Sequence, residues 1–198
     1  MTKKTALITG ITGQDGAYLA RFLLRKNYKV IGIERRSARS FNWRLEKLNI
    51  NDKVIIEDTD IKEINNLIRI FDKYRVDEVY NLAAQSFVGT SFSSPLNTAN
   101  ITGLGTLRIL ETIRSTNPKI KFYQASSSEM FGNVKSPQNE KTLFAPNSPY
   151  SISKLYSYWI TRSYRDAYKI FATNGILFNH ESPLRGETFV TKKITQYV

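Results

Sequence analysis

The sequence predicts an α/β fold, a doubly wound parallel sheet with helices on both faces. Three observations point there. Short apolar runs alternate with segments of helical period along most of the chain. A glycine-spaced turn joins the first apolar run to the first helical segment. The composition is that of a packed globular chain: of 198 residues, 41% are hydrophobic and 12% aromatic. That excludes a disordered or collagen-like molecule. Strands that alternate with helices need crossover connections, and these cover both faces of a parallel sheet.

The elements follow in order. Residues 5–9 read as a buried strand through Ala6, Leu7 and Ile8. After the glycine turn, Ala17, Leu19, Ala20, Phe22, Leu23 and Leu24 keep helical spacing as far as Asn27. Residues 30–33 and 54–56 make the second and third strands, and Ile64, Leu67, Ile68 and Phe71 mark a helix. Residues 78–82 form a fourth strand. Leu104, Leu107, Ile109, Leu110 and Ile113 lie on a helix ending near Asn117-Pro118. Residues 120–125 form a fifth strand, 126–148 a polar loop, 150–169 a helix and 172–178 a sixth strand. This is the Rossmann-type order.

Charge and cysteine content narrow the class. The chain has 29 Lys+Arg and 17 Asp+Glu, a net charge of +12, and no Cys. Without cysteine there is no disulfide framework, thiolate metal site or Cys nucleophile, and a reducing, cytoplasmic setting is expected. The basic residues are scattered, with no block of five or six, so a solvated surface is expected, with no nucleic-acid or membrane partner. No metal is called for, and the start does not read as a signal peptide, because Gly10, Thr12 and Gly13 break its apolar stretch.

The turn is G-x-x-G-x-x-G, with Gly10, Gly13 and Gly16 between strand and helix. Glycines let backbone approach a pyrophosphate, and the helix N-terminus supplies free N–H groups and a positive dipole end. A dinucleotide site is expected. The second strand ends Ile33-Glu34-Arg35-Arg36-Ser37. An acidic residue there suits a ribose 2′-OH, and arginines suit a 2′-phosphate. The paired arginines carry the reading to NADP.

Tyr150 and Lys154 are four residues apart at the start of a helical segment, so they share a face. A neighbouring ammonium favours phenolate, so Lys154 is expected to lower the Tyr150 pKa, and a Tyr so tuned can take a proton from a hydroxyl. Ser126-Ser127-Ser128-Glu129 follows the fifth strand, at the end of the sheet where ligands bind in this fold.

Together these stretches resemble the extended short-chain dehydrogenase/reductase family and, within it, the GDP-mannose 4,6-dehydratases. The resemblance rests on TALITGITGQDGAYLAR (5–21), GIERRS (32–37), VYNLAAQS (79–86), GTLRILE (105–111), FYQASSSEMFG (122–132), SPYSISKLYSYWIT (148–161) and NGILFNHESPLRGETFVTKKIT (174–195). It implies an enzyme that converts GDP-mannose to GDP-4-keto-6-deoxymannose with NADP. The implied catalytic residues are Ser127, Glu129, Tyr150 and Lys154. For the cofactor it implies Gly10, Ile11, Thr12, Gly13, Gln14, Asp15 and Gly16 at the pyrophosphate, and Arg35, Arg36 and Ser37 at the 2′-phosphate. Asp58 and Thr59 fall near the adenine, and Leu82, Ala83, Ala84, Gln85 and Ser86 along the path to the nicotinamide. Tyr150, Lys154, His180 and Arg185 complete the set. The family pattern has Thr where Ser127 stands, a neutral or basic residue at Glu34, Tyr at Asn97 and Arg at Leu184. The resemblance further implies a homo-oligomer, a dinucleotide domain over residues 1–179, and at 180–198 the start of a truncated substrate-binding region. Two alternatives stay open: another nucleotide-sugar dehydratase, epimerase or reductase of the family, or a catalytically inactive dinucleotide-binding module.

Overall fold

The computed structural model describes residues 3–35 and 41–198. Six strands form one parallel sheet: β1 (Thr5–Thr9), β2 (Lys29–Glu34), β3 (Ile55–Asp58), β4 (Glu78–Asn81), β5 (Lys121–Ser127) and β6 (Ala172–Leu177). The helices are α1 (Gln14–Arg25), α2 (Trp43–Lys47), α3 (Ile64–Tyr74), α4 (Val88–Ser93), α5 (Pro95–Thr98), α6 (Leu104–Thr116), α7 (Pro149–Tyr168) and α8 (Val190–Tyr197). The strand order is β3-β2-β1-β4-β5-β6. The winding reverses between β1 and β4, and a crevice opens there at the carboxyl ends of the strands. The expected doubly wound sheet is the one observed.

Alternation within β1 shows how the layers form. Leu7 packs with Ile31, Leu67, Ile70, Val79, Ile109, Leu110 and Phe122, on the face covered by α3, α6 and α7. Ala6 and Ile8 point the other way, to Ala17, Ala20, Leu23, Val30 and Leu45, beneath α1 and α2. Leu7 and Ile8 are fully buried, and each such side chain contributes ~1.5–3 kcal/mol. Among the described residues no helix is long and apolar enough to cross a membrane.

A polar row runs through this core. Thr9 Oγ1 donates to Asn81 Oδ1 at 2.6 Å, and Asn81 Nδ2 donates to Gln124 Oε1 at 2.7 Å and Thr106 Oγ1 at 3.1 Å. Thr106 Oγ1 lies 3.1 Å from Ser157 Oγ on α7. Each of these side chains is buried, and each has a partner.

The structure departs from expectation in places. The third strand runs from Ile55 to Asp58 rather than over 54–56, and the polar loop after β5 opens with a tight turn at Ser128–Phe131. Helices α2 and α8 had no sequence forecast. Residues 88–103 are helical as well, through α4, α5 and a widened turn at Ala99–Gly103. Their Ser, Thr and Asn content hides the period. Hydroxyl groups support these turns instead: Ser91 Oγ donates to Val88 O at 2.6 Å and Thr98 Oγ1 to Ser94 O at 2.9 Å.

Candidate active site

The crevice at the switch point is a cleft of about 490 Å³. One wall is the glycine turn. Gly10 has φ +71°, and a Cβ there would come within 3.0 Å of Ala83 N. A Cβ on Gly16 would lie 2.3 Å from Gly10 O, so only glycine lets α1 start this close to the turn. Among the described residues no side chain caps α1, and its first residues, Gln14, Asp15 and Gly16, line the cleft with N–H groups left open. Leu82 N and Ala83 N both donate to Thr9 Oγ1, at 3.2 and 3.1 Å, drawing the end of β4 over the turn. These features fit a dinucleotide pyrophosphate.

The opposite wall is built by β5 and α7. Ser148 caps α7, accepting from Ser151 N at 3.0 Å, while Ser151 Oγ accepts from Ser148 N at 2.9 Å. Pro149 then opens the helix. This sets Tyr150 in the first turn and Lys154 one turn on, both buried. The Ser127 hydroxyl is in hydrogen-bonding reach of the Tyr150 phenol and also accepts from Glu129 N at 3.2 Å. Ser127, Glu129, Tyr150 and Lys154 all line the cleft.

The electrostatics correct one expectation. The Tyr150 pKa is raised, not lowered: burial is the main cause, the Ser127 hydrogen bond opposes it and the Glu129 charge adds to it. The Lys154 ammonium sits 5.8 Å from the centre of the Tyr150 ring and donates to Ala125 O at 2.7 Å. One of its three protons goes to that carbonyl, and its own pKa falls to about 8 through burial.

A strap crosses the glycine turn after β6. His180 Nε2 lies 2.7 Å from Asp15 Oδ1, and Gln14 Nε2 donates to His180 O at 3.3 Å. Ser182 Oγ donates to Gln14 Oε1 at 2.8 Å. Arg44 donates to Leu184 O at 2.8 Å and to Thr12 O at 3.0 Å, tying strap to turn. Leu184 is the strap's apolar anchor, buried in the core beneath α1. Arg185 stacks 3.5 Å over the Phe189 ring and pairs with Glu181 at 3.3 Å. The His180 pKa is raised, first by its bond to Phe178 O and then by Asp15.

Most expected site residues meet in the cleft, including Gly13, Leu82, Ala84, Ser86, His180 and Arg185. Ile11 does not present its side chain there; it is wholly buried in the core, so only its backbone can serve a ligand. Gln85 turns away, its amide donating to Phe87 O at 3.1 Å. Asp58 and Thr59 stand apart at the end of β3, and Thr59 Oγ1 is buried without a partner among the described residues. Arg35 is exposed, and Arg36 and Ser37 lie outside the described residues. Arg44 and Phe189 were missed: nothing local in the sequence marks a cleft-lining Arg in a short helix or an aromatic beneath Arg185.

A family model for GDP-mannose 4,6 dehydratase matches residues 7–198. The GDP-mannose 4,6-dehydratase of Vibrio cholerae serotype O1 is 54% identical, over 99% of this chain and 55% of its own length. That of Arabidopsis thaliana is 50% identical, over 98% of this chain and 56% of its own. The chain thus spans little more than half the length of the curated relatives it matches. Among solved structures, a dTDP-glucose 4,6-dehydratase from Streptomyces venezuelae, with NAD and TYD bound, superposes with a TM-score of 0.84 at 22% identity, covering 97% of this chain and 61% of that one. A UDP-glucose 4-epimerase from Thermotoga maritima gives 0.81 at 26%, covering 93% and 59%. The structural likeness fixes the fold; sequence identity of this extent, sustained along nearly all of the chain, goes further and makes it a member of the GDP-mannose 4,6-dehydratase family.

Proposed function

We propose that this chain is the dinucleotide-binding and catalytic part of an enzyme that converts GDP-mannose to GDP-4-keto-6-deoxymannose. One observation carries the reading: Ser127, Glu129, Tyr150 and Lys154 face the same cleft as an uncapped, glycine-lined helix start, in a chain of this family. A nicotinamide dinucleotide would supply hydride uptake from the sugar C4 and its return to C6; at the end of β2, Arg35 and Arg36 favour NADP and Glu34 favours NAD. The protein's residues do the rest. Burial keeps Tyr150 a phenol in the free chain; the positive charge of an oxidised nicotinamide beside it would favour the phenolate, which takes the proton of the 4-hydroxyl while Ser127 hydrogen-bonds the same oxygen. Once C4 is a ketone, the C5 proton is acidic; Glu129 removes it and delivers a proton to the departing 6-hydroxyl, which leaves as water. Lys154 holds the cofactor ribose.

On this reading residues 1–179 form the dinucleotide domain and 180–198 begin the substrate-binding region. The full-length protein is a cytoplasmic homo-oligomer. An exposed apolar face through Phe92, Leu96, Leu104, Ile152, Tyr156 and Trp159 supports the assembly. In the full-length context Tyr150→Phe abolishes 4-keto sugar formation and keeps cofactor binding. Glu129→Gln permits the first oxidation and blocks loss of water. Dehydration of GDP-mannose at the unmodified rate by Glu129→Gln refutes the role given to Glu129.

A further inference from the structure

Glu34 ends β2 on the face that carries the glycine turn. On that face Val30 packs beneath α1, and Gly32 lies so close to Ile11 that a Cβ would come within 2.5 Å of its side chain. Glu34 is the next residue along the same row. Its carbonyl accepts from Thr59 N at 2.9 Å, which fixes the strand end, and the register sets Asp58 beside it. The Thr12 side chain, from the glycine turn, hydrogen-bonds its carboxylate. The carboxylate is thus half-buried between the turn and the end of β3.

In doubly wound nucleotide-binding sheets, the adenosine ribose 2′-oxygen arrives at the end of the second strand. A partly desolvated carboxylate at that place gains from a hydroxyl donor. A phosphate ester on the same oxygen offers only acceptors and brings about two negative charges. Burial already holds the Glu34 pKa above the usual carboxylate range, and the Asp58 charge pushes the same way, so further negative charge there is opposed.

We propose that Glu34 is a specificity-determining residue: it accepts from the 2′-hydroxyl of NAD and opposes the 2′-phosphate of NADP, against the pull of the arginine pair that follows it in sequence, Arg35 and Arg36. The proposal rests on the dinucleotide reading of the glycine turn. Repulsion between a carboxylate and a dianionic phosphate ~5 Å apart in a watery setting corresponds to roughly tenfold in affinity.

The test is a titration of NADH and NADPH, followed by nicotinamide fluorescence, into the 198-residue chain and into Glu34→Gln and Glu34→Ser. The expected result is that the unmodified chain binds NADH at least as tightly as NADPH. Both substitutions then tighten NADPH about tenfold and leave NADH unchanged or weaker. Unmodified-chain selectivity for NADPH beyond tenfold, or an NADH/NADPH ratio that neither substitution moves, overturns the role of Glu34 while the dinucleotide reading stands. A folded chain that binds neither nucleotide overturns the dinucleotide reading, and the proposal with it.

Discussion

The two walls of the cleft are held by different physics. Ser127, Tyr150 and Lys154 sit on β5 and α7, 9%, 8% and 4% exposed, locked by a capping box and by the polar row behind them. The strap of residues 178–186 is held mainly by side chains at the surface. His180 and Asp15 are each about half exposed, and Leu184 alone on the strap reaches the core. Buried, hydrogen-bonded groups cannot shift without leaving a partner unsatisfied, so the wall of β5 and α7 is preorganised. Exposed pairs are individually weak and readily exchanged for water, so the strap can part from the turn at small cost. On the proposed function, chemistry falls to the rigid wall and retention of the nucleotide to the adjustable one.

The contrast breaks most sharply behind the rigid wall. Asn81→Leu takes one buried partner from each of Thr9 and Gln124 and should cost roughly 3 kcal/mol, read as a lowered midpoint of urea unfolding. A cost below 1 kcal/mol would mean the row reorganises freely and the wall is not locked.

Leu184→Ala removes the strap's anchor. It should cost about 2–3 kcal/mol and should raise hydrogen exchange at residues 180–186 well before it affects α7. Uniform loss of protection across both walls would erase the distinction between them.

Lys154→Met goes the other way. The Lys154 pKa is depressed to about 8 in the fold, from 10.5. The unfolded chain therefore binds more protons between those values, and the charged form destabilises the fold fully below pH 8. Removing the charge should raise stability at pH 7 by about 1–2 kcal/mol, after allowing for the lost bond to Ala125 O. The gain should shrink above pH 8 and vanish by about pH 10.5. Denaturant melts across that range check the sign, and a gain that grows with pH would contradict it.

The smallest effect is His180→Asn. With a raised folded pKa, His180 adds stability that is fully present below its unfolded value and fades as pH rises through the folded one. The substitution should cost under about 1 kcal/mol, and only on the acid side. Strap exchange in the unmodified chain should quicken as pH rises through that range. A pH-independent strap would assign its closure to Arg44 and Leu184 alone.

What the sequence disclosed follows the same division. The sheet was legible because β1 and β2 carry apolar runs of strand length and the helices α1 and α3 keep a 3.6-residue period. Gly10, Gly13, Tyr150 and Lys154 were legible because each motif is local: a turn, or one helical step. The strap was not. Asp15 and His180 meet across 165 residues, and no local spacing joins them. Arg44 reads as surface charge until Thr12 O and Leu184 O are seen on either side of it. Helices α4 and α5 escaped because Ser and Thr hydroxyls, rather than an apolar stripe, organise them. The pairing of Tyr150 with Lys154 was read correctly as proximity and incorrectly as a depressed phenol, since spacing says nothing of the competing carbonyl at Ala125.

The polar row has a consequence for how the sheet assembles. A parallel sheet buried on both faces is apolar on both, so a strand that slips by one residue still finds greasy neighbours, and hydrophobicity alone corrects the error poorly. Thr9, Asn81, Gln124 and Asn174 occupy one level across β1, β4, β5 and β6. A single-residue slip of β4 sets Thr9 against Tyr80 or Leu82 and strands several polar groups at ~1–3 kcal/mol apiece. The row thus acts as a proofreading mark: only one alignment of the central strands satisfies it, and that alignment is the one that brings Gly10 against the Ala83 backbone and opens the crevice.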